Sequence, residues 1–325
     1  MHLLLAWIVA LAAVIAPQRT WSPDAGPSLR GGTPAPPPAY SVGAAFDSAR
    51  SVLVVFGGSR LGGYSGETWE WDGKAWRRAS NRGPTPRNGP AMCYDPLRRV
   101  VVLFGGNNQT GNLRDTWEWD GLLWRRAANT GPSQRTLVRL AFDPKRGTVV
   151  MYGGMTGASV LGETWEWNGI EWTRLADGPP RHLHGFVVDA ERGVWMTFGG
   201  SSQFLGPGRQ SLTGETWIFA DGAWRLAATD GPGPRDHIDM AFDAVRGRAV
   251  LYGGYDGTDV TSETWEWDGK VWTQFHSPGG PGERAYPEQV FDTTRGRVLL
   301  YGGFDISGPK NDLWEWDGAV WTRIG

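Results

Sequence analysis

The chain has 325 residues, with 32 Lys and Arg against 34 Asp and Glu, and a formal net charge of −2. That near-balance excludes the basic footprint of a nucleic-acid binder and the polybasic patch of a protein held to anionic membranes. A single cysteine, Cys93, excludes an internal disulfide and any cysteine-based zinc site, while 48 glycines and 22 prolines mark a turn-rich chain built of strands.

Residues 1–16, MHLLLAWIVALAAVIA, carry an apolar run over 3–16 that has signal-peptide length and is short for a membrane span. No Lys or Arg precedes the run, and Pro17 follows its small-residue stop at Ala16. The segment is read as a signal peptide or a short membrane anchor, so the protein is expected to be secreted, periplasmic or at the cell surface. Residues 17–39 are rich in Pro and Gly without apolar periodicity and read as a spacer.

From residue 40 onward one phrase recurs six times: ETWEWDGKAW (67–76), DTWEWDGLLW (115–124), ETWEWNGIEW (163–172), ETWIFADGAW (215–224), ETWEWDGKVW (263–272) and DLWEWDGAVW (312–321). The leading tryptophans are 48, 48, 52, 48 and 49 residues apart, a period that signals a repeat architecture. Trp69 and Trp71 lie two apart, so in a strand they share one face, and Asp72-Gly73 reads as a two-residue hairpin turn. In the fourth copy an extra residue stands before Asp221-Gly222, which predicts a bulge or a longer turn there. Three large rings per copy, with Phe219 in one place, are read as the packing between neighbouring sheets; a set of sugar-stacking platforms is the alternative.

Ahead of each phrase runs an apolar strand ending in paired glycines, such as VLVVFGG (52–58), and its continuous apolar character marks burial on both faces. Ahead of that lies a turn opened by aspartate and followed three residues later by arginine, from Asp47 and Arg50 to Asp292 and Arg295. Aspartate in such a turn bonds the amides that follow it. Each unit is therefore a four-stranded antiparallel meander. The Gly-Gly pair, the later aromatic and the closing tryptophan, at Gly57-Gly58, Trp69 and Trp76 and their equivalents in all six copies, resemble the kelch repeat. The departure is Trp where that family usually has Tyr in the third strand. The resemblance covers residues 40–325 and implies an all-β, six-bladed β-propeller of the kind found in the central domain of galactose-oxidase-like and bacterial exported kelch-like proteins. The expected blades are about 40–80, 87–128, 135–176, 181–228, 235–275 and 284–325, with no strand exchanged at ring closure.

In a meander the Asp-x-x-Arg and Asp-Gly turns share one end. The loops after Gly-Gly vary and share the other, where binding usually resides. The longest, 201–214, is the best clamp candidate. An arginine stands eight residues before the turn aspartate at Arg87, Arg135, Arg181, Arg235 and Arg284, with Ala39 in blade 1. Each arginine either pairs with the acid opening its tryptophan strand or joins a cationic ring that binds an anionic ligand. Non-repeated polar residues near the channel mouth are Arg139, His182, His184, Asp236, His237, Asp239 and Glu288. Of these, Arg139, His184, His237, Asp239 and Glu288 are candidates for general acid–base chemistry, and His182 and Asp236 for binding. Three histidines with a carboxylate are also a donor set for a metal, but no cofactor or metal site is expected.

The leading expectation is a monomeric, non-catalytic binding or scaffold propeller whose partner is a glycan or a protein, with no role in nucleic-acid binding. The alternative is a carbohydrate-active enzyme. Galactose-oxidase-like enzymes use copper with a Tyr-Cys cross-link, whereas here Cys93 lies beside Tyr94 in an inner strand. Sialic-acid mutarotases are six-bladed and similar to kelch proteins. Glu288, Asp239 and Arg139 are of the right types for such chemistry, without a residue-by-residue motif match.

Overall fold

The computed structural model describes residues 35–206 and 210–325. The apolar run at 3–16 and most of the spacer lie outside the described residues. The described chain forms six four-stranded antiparallel sheets, each drawn from one contiguous stretch, with no helix among the described residues. The first blade pairs Gly43–Asp47, Val52–Phe56, Thr68–Trp71 and Trp76–Ser80 in that order. The innermost strands of blades 2 to 6 are Ala91–Asp95, Arg139–Asp143, Gly185–Asp189, Met240–Asp243 and Glu288–Asp292. The molecule is a six-bladed β-propeller with no strand exchange.

Burial explains the apolar second strands. Val100–Phe104 and its equivalents lie between neighbouring sheets, and Val102, Leu103 and Phe104 are wholly inaccessible. The glycine pair ends that strand because only glycine fits. Gly105 and Gly106 have φ of 63° and 96°, and a Cβ on either would stand 2.5 Å from the Arg135 carbonyl oxygen or 2.9 Å from that of Asn88.

The tryptophans join blade to blade. The first of each phrase donates its Nε1–H to the acid two residues earlier, as Trp117 does to Asp115 at 2.7 Å. The second reaches the preceding blade, Trp119 to Glu70 at 2.9 Å and Trp316 to Glu266 at 2.7 Å. The third bonds a threonine hydroxyl of the preceding blade: Trp124 to Thr68, Trp172 to Thr116 and Trp272 to Thr216 at 2.8 Å, Trp224 to Thr164 and Trp321 to Thr264 at 2.9 Å. The rings are interblade packing, and most of the tryptophans add a polar bond to it.

The seam between blades 6 and 1 differs. Leu313 stands where every other blade has that threonine, and the buried Nε1 atoms of Trp71 and Trp76 have no partner among the described residues. Trp76 instead packs on Tyr301, with ring centroids 5.1 Å apart, within a cluster that also holds Leu299 and Leu313. The end of the spacer adds polar contacts. Ala39 N–H donates to the Lys310 carbonyl at 3.2 Å, and Asn311 Nδ2 to the Pro36 carbonyl at 2.8 Å.

The turn geometry corrects the sequence expectation. Trp71 pairs directly with Trp76, so the loop is four residues, 72–75, and of these only Gly73 has positive φ, at 91°. Asp72 holds that loop through one oxygen that accepts from the Lys74 and Ala75 amides, both at 2.9 Å. The two-residue turn occurs in the fourth copy alone. There Ala220 pairs with Ala223, and Asp221 and Gly222 have φ of 52° and 80°. The extra residue lengthens the strand and tightens the turn.

Candidate functional site

Three rings of six equivalent residues build the channel mouth. Six residues before each turn aspartate stand Ser41, Gly89, Leu137, Leu183, His237 and Tyr286, all left-handed with φ between 50° and 57°. Five of these are not glycine, a costly backbone state held by its neighbours. Main-chain bonds between adjacent blades hold it, from Gly89 N–H to Ser41 at 2.8 Å and from Tyr286 N–H to His237 at 2.8 Å. One residue earlier, Tyr40, Asn88, Thr136, His182, Asp236 and Ala285 each bridge to the residue following the glycine pair of their own blade.

The repeated arginines are bound inside the blades. Arg87 bonds Asp115 through both terminal nitrogens at 2.7 and 2.9 Å, Arg284 bonds Asp312 at 2.6 Å, and Arg235 bonds Glu263 at 2.8 Å. Arg135 and Arg181 pair with Glu163 and Glu215 at 2.5 Å. All five arginines are buried. Burial raises the Asp115, Glu163 and Asp312 carboxyls, and their arginines more than reverse this, leaving them below the ordinary range. In blade 1, where Ala39 replaces arginine, Arg60 reaches Glu67 at 2.8 Å from the neighbouring hairpin. The guanidiniums brace the loops that carry the mouth.

Arg139, Asp239 and Glu288 do converge. They occupy one ring level, four residues before the turn aspartate, whose other members are Gly43, Ala91 and Gly185. Arg139 reaches from blade 3 across the axis. It donates to the His184 carbonyl at 3.1 Å, the Ile238 carbonyl at 2.7 Å and Glu288 at 3.3 Å, and stands 3.4 Å from Asp239. Asp239 also accepts the Gln289 amide at 2.8 Å. Burial pushes Glu288 up to about 8 against the pull of Arg139, and raises Asp239 as well. Burial alone would lower Arg139, but the two carboxylates leave it above its usual value. The cluster is an ionic bolt joining blades 3, 5 and 6 and capping carbonyls of blades 4 and 5.

The histidines separate into different environments. His184 joins the bolt through its carbonyl alone. Its ring is buried edge-on to Tyr152 at 5.4 Å, neither ring nitrogen has a partner among the described residues, and burial holds it far below its ordinary pKa. His182 is likewise unpartnered and is lowered by burial to about 4. His237 Nδ1 bonds Asp236, which accepts the Ser201 hydroxyl at 2.9 Å. The His237 ring stands edge-on to Tyr286 at 4.3 Å. Among the described residues no three His, Cys, Asp or Glu side chains group to hold a metal ion.

The mouth holds a cavity of ≈ 440 Å³ on the side of blades 1 to 3. Asn88, Asn107, Asn112 and Gln134 supply amides, and Ser41 and Thr136 supply hydroxyls. Tyr40, Tyr286 and Phe204 supply rings, the last from the long loop of blade 4. None of the thirteen lining residues is charged; none was a named site candidate in the sequence, although Phe204 lies in the 201–214 loop expected to act as a clamp and Asn107, Gly111, Asn112, Met155 and Gly157 lie in other loops after Gly-Gly. The signal lay in the rings: Asn88, Thr136 and Tyr40 occupy one repeat position, and Asn107 follows a glycine pair. At the level six residues before the turn aspartates, Ser41, Leu137 and Tyr286 line the cavity from blades 1, 3 and 6.

No protein-family model matches the chain, and no curated protein matches its sequence.

Proposed function

We propose that this is a kelch-like binding propeller that holds a glycan at the loop-face mouth of its channel. The observation that carries the reading is the cavity: ≈ 440 Å³, lined by amides, hydroxyls and three aromatic rings. That volume suits a small-molecule or oligosaccharide end, and convergent amides with apolar walls fix the orientation of such a ligand. Arg139, Asp239 and Glu288, the best acid–base candidates, do not line it. Their bonds to one another and to blade carbonyls support a structural task. The expected protein is a monomer, exported or tethered through residues 3–16.

The test is a thermal-shift screen of the chain against immobilisable neutral and acidic glycans, followed by a glycan array. A ligand at 100 times its dissociation constant adds about 2.7 kcal/mol to stability. A melting temperature unmoved by every glycan, together with an empty array, would sink the reading in favour of a protein partner. N-terminal sequencing of the exported protein checks the leader: an intact Met1 argues for an anchor and a start near residue 17 for cleavage.

A further inference from the structure

Resting on the glycan reading, the geometry points to an uncharged sugar ring as the ligand of the mouth cavity, with uronate, sialate and sulfated sugars excluded. The first observation is the fate of the cations. The five repeated arginines that would draw an anionic sugar are buried and paired with acids of their own blades. Arg139 is engaged by Asp239, Glu288 and two carbonyls below the mouth. The thirteen cavity residues include no Lys, Arg or His.

The second observation is the direction of the amides. Asn107 Nδ2 donates to Asn112 Oδ1 at 2.8 Å, and Asn112 Nδ2 donates in turn to the Met155 carbonyl at 3.2 Å. Asn88 Nδ2 is turned toward the Ser59 hydroxyl at 3.4 Å, and the Thr136 hydroxyl donates to the Gly89 carbonyl at 3.2 Å. Each bond uses one N–H of a two-donor amide, or the hydroxyl hydrogen, and leaves the Asn88 and Asn107 oxygens and the Thr136 lone pairs as acceptors. A sugar hydroxyl donates and accepts, so it fits them. A carboxylate or sulfate only accepts, so it leaves those acceptors unpaired and finds no compensating cation in the lining.

The third observation is the wall. Tyr40 and Tyr286 stand 5.6 Å apart at 48°, and Tyr40 is backed by Phe304 at 5.4 Å. Tyr286 is backed by His237, which Asp236 holds. Burial keeps the Tyr286 phenol well above its ordinary value, so it stays neutral. Each braced, uncharged ring is an apolar surface of the kind on which the C–H side of a pyranose packs.

The experiment is ligand-observed saturation-transfer NMR on the full chain. Glucose, galactose, mannose, lactose and cellobiose are titrated beside glucuronate, galacturonate, N-acetylneuraminate and glucose 6-sulfate. At least one neutral sugar should bind, with its acidic counterpart weaker by about tenfold or more, the weight of one good polar contact. Gln134→Ala, at an exposed position, and Asn107→Ala should each weaken the neutral sugar by about fivefold to tenfold, with the melting temperature unchanged for Gln134→Ala and lowered by at most about 2 °C for Asn107→Ala, which also loses its bond to Asn112. An acidic sugar binding as tightly as its neutral counterpart overturns the exclusion and leaves the glycan reading standing. Sugar binding indifferent to both substitutions removes the site from this cavity. No binding by any sugar removes both readings.

Discussion

The interblade clip lends itself to a clean perturbation, Thr116→Val. Thr116 is fully buried and its hydroxyl accepts the Trp172 indole N–H at 2.8 Å across the boundary between blades 2 and 3. Valine keeps the β-branched shape, so strand preference hardly changes. The substitution strands the indole N–H in a dry interface, at a cost of about 1–3 kcal/mol. The added methyl returns up to about 0.8 kcal/mol of apolar burial. The net loss is about 1–2 kcal/mol. With an unfolding entropy of roughly 2.1 cal/mol/K per residue over the propeller, that lowers Tm by about 2–3 °C. Calorimetry and urea denaturation read it, in a double-mutant cycle with Trp172→Phe, where a coupling near 1 kcal/mol is expected. The natural control is Trp76, whose counterpart is Leu313 and whose Nε1 has no partner among the described residues. Trp76→Phe should therefore cost less than Trp172→Phe. If Thr116→Val melts with the parent and the cycle shows no coupling, the clips are geometry without energy and the reasoning fails.

Three further outcomes follow from the charges. Glu288 is raised to about 8 in the folded state, so the folded protein holds a proton that the unfolded chain releases near pH 4.3. Its stabilising share is full below that value, declines as pH rises toward 8, and is flat beyond. At ~1.4 kcal/mol per unit the decline is on the order of 3–5 kcal/mol. Glu288→Gln should flatten urea-measured stability between pH 5 and 8, and an unchanged slope would refute the buried proton. His182 runs the other way. Its folded value is lowered to about 4, so stability is lost as pH falls from about 6.5 toward 4, and His182→Gln should lessen that loss in acid melts. Arg87 is fully buried against Asp115, whereas Arg60 and Glu67 are each 22% exposed. Arg87→Ala should cost about 3–5 kcal/mol and Arg60→Ala at most about 1 kcal/mol by denaturant titration, and equal costs would contradict the burial argument.

The sequence by itself determined the architecture. Six tryptophan phrases, six apolar strands ending in Gly-Gly and six Asp-x-x-Arg turns repeat the same local physics, and each repeat builds its own sheet from neighbouring residues. The pairing of Arg87 with Asp115 was legible as one of two options, because the acid recurs in all six units and the arginine in all but the first, where Arg60 replaces the missing cation. The turn was misjudged at Asp72-Gly73 because the side chain of Asp72, bonding two amides, stabilises a four-residue loop as readily as the dipeptide stabilises a two-residue one. Arg139, Asp239 and Glu288 were visible as departures from the repeat at one level of the ring, and their convergence follows from that shared level.

The cavity was decided only by closure of the ring. A repeat states what each blade contributes to the mouth, but the space left there depends on which six residues meet, and neutral amides at equivalent positions give no contrast along the chain. Tyr40 and Tyr286 are 246 positions apart in sequence and form one wall because blade 6 packs on blade 1. Ser41, Leu137 and Tyr286 line the cavity from one ring level of three different blades. Shape at the axis is a sum over the whole circle, and no segment of the chain contains it.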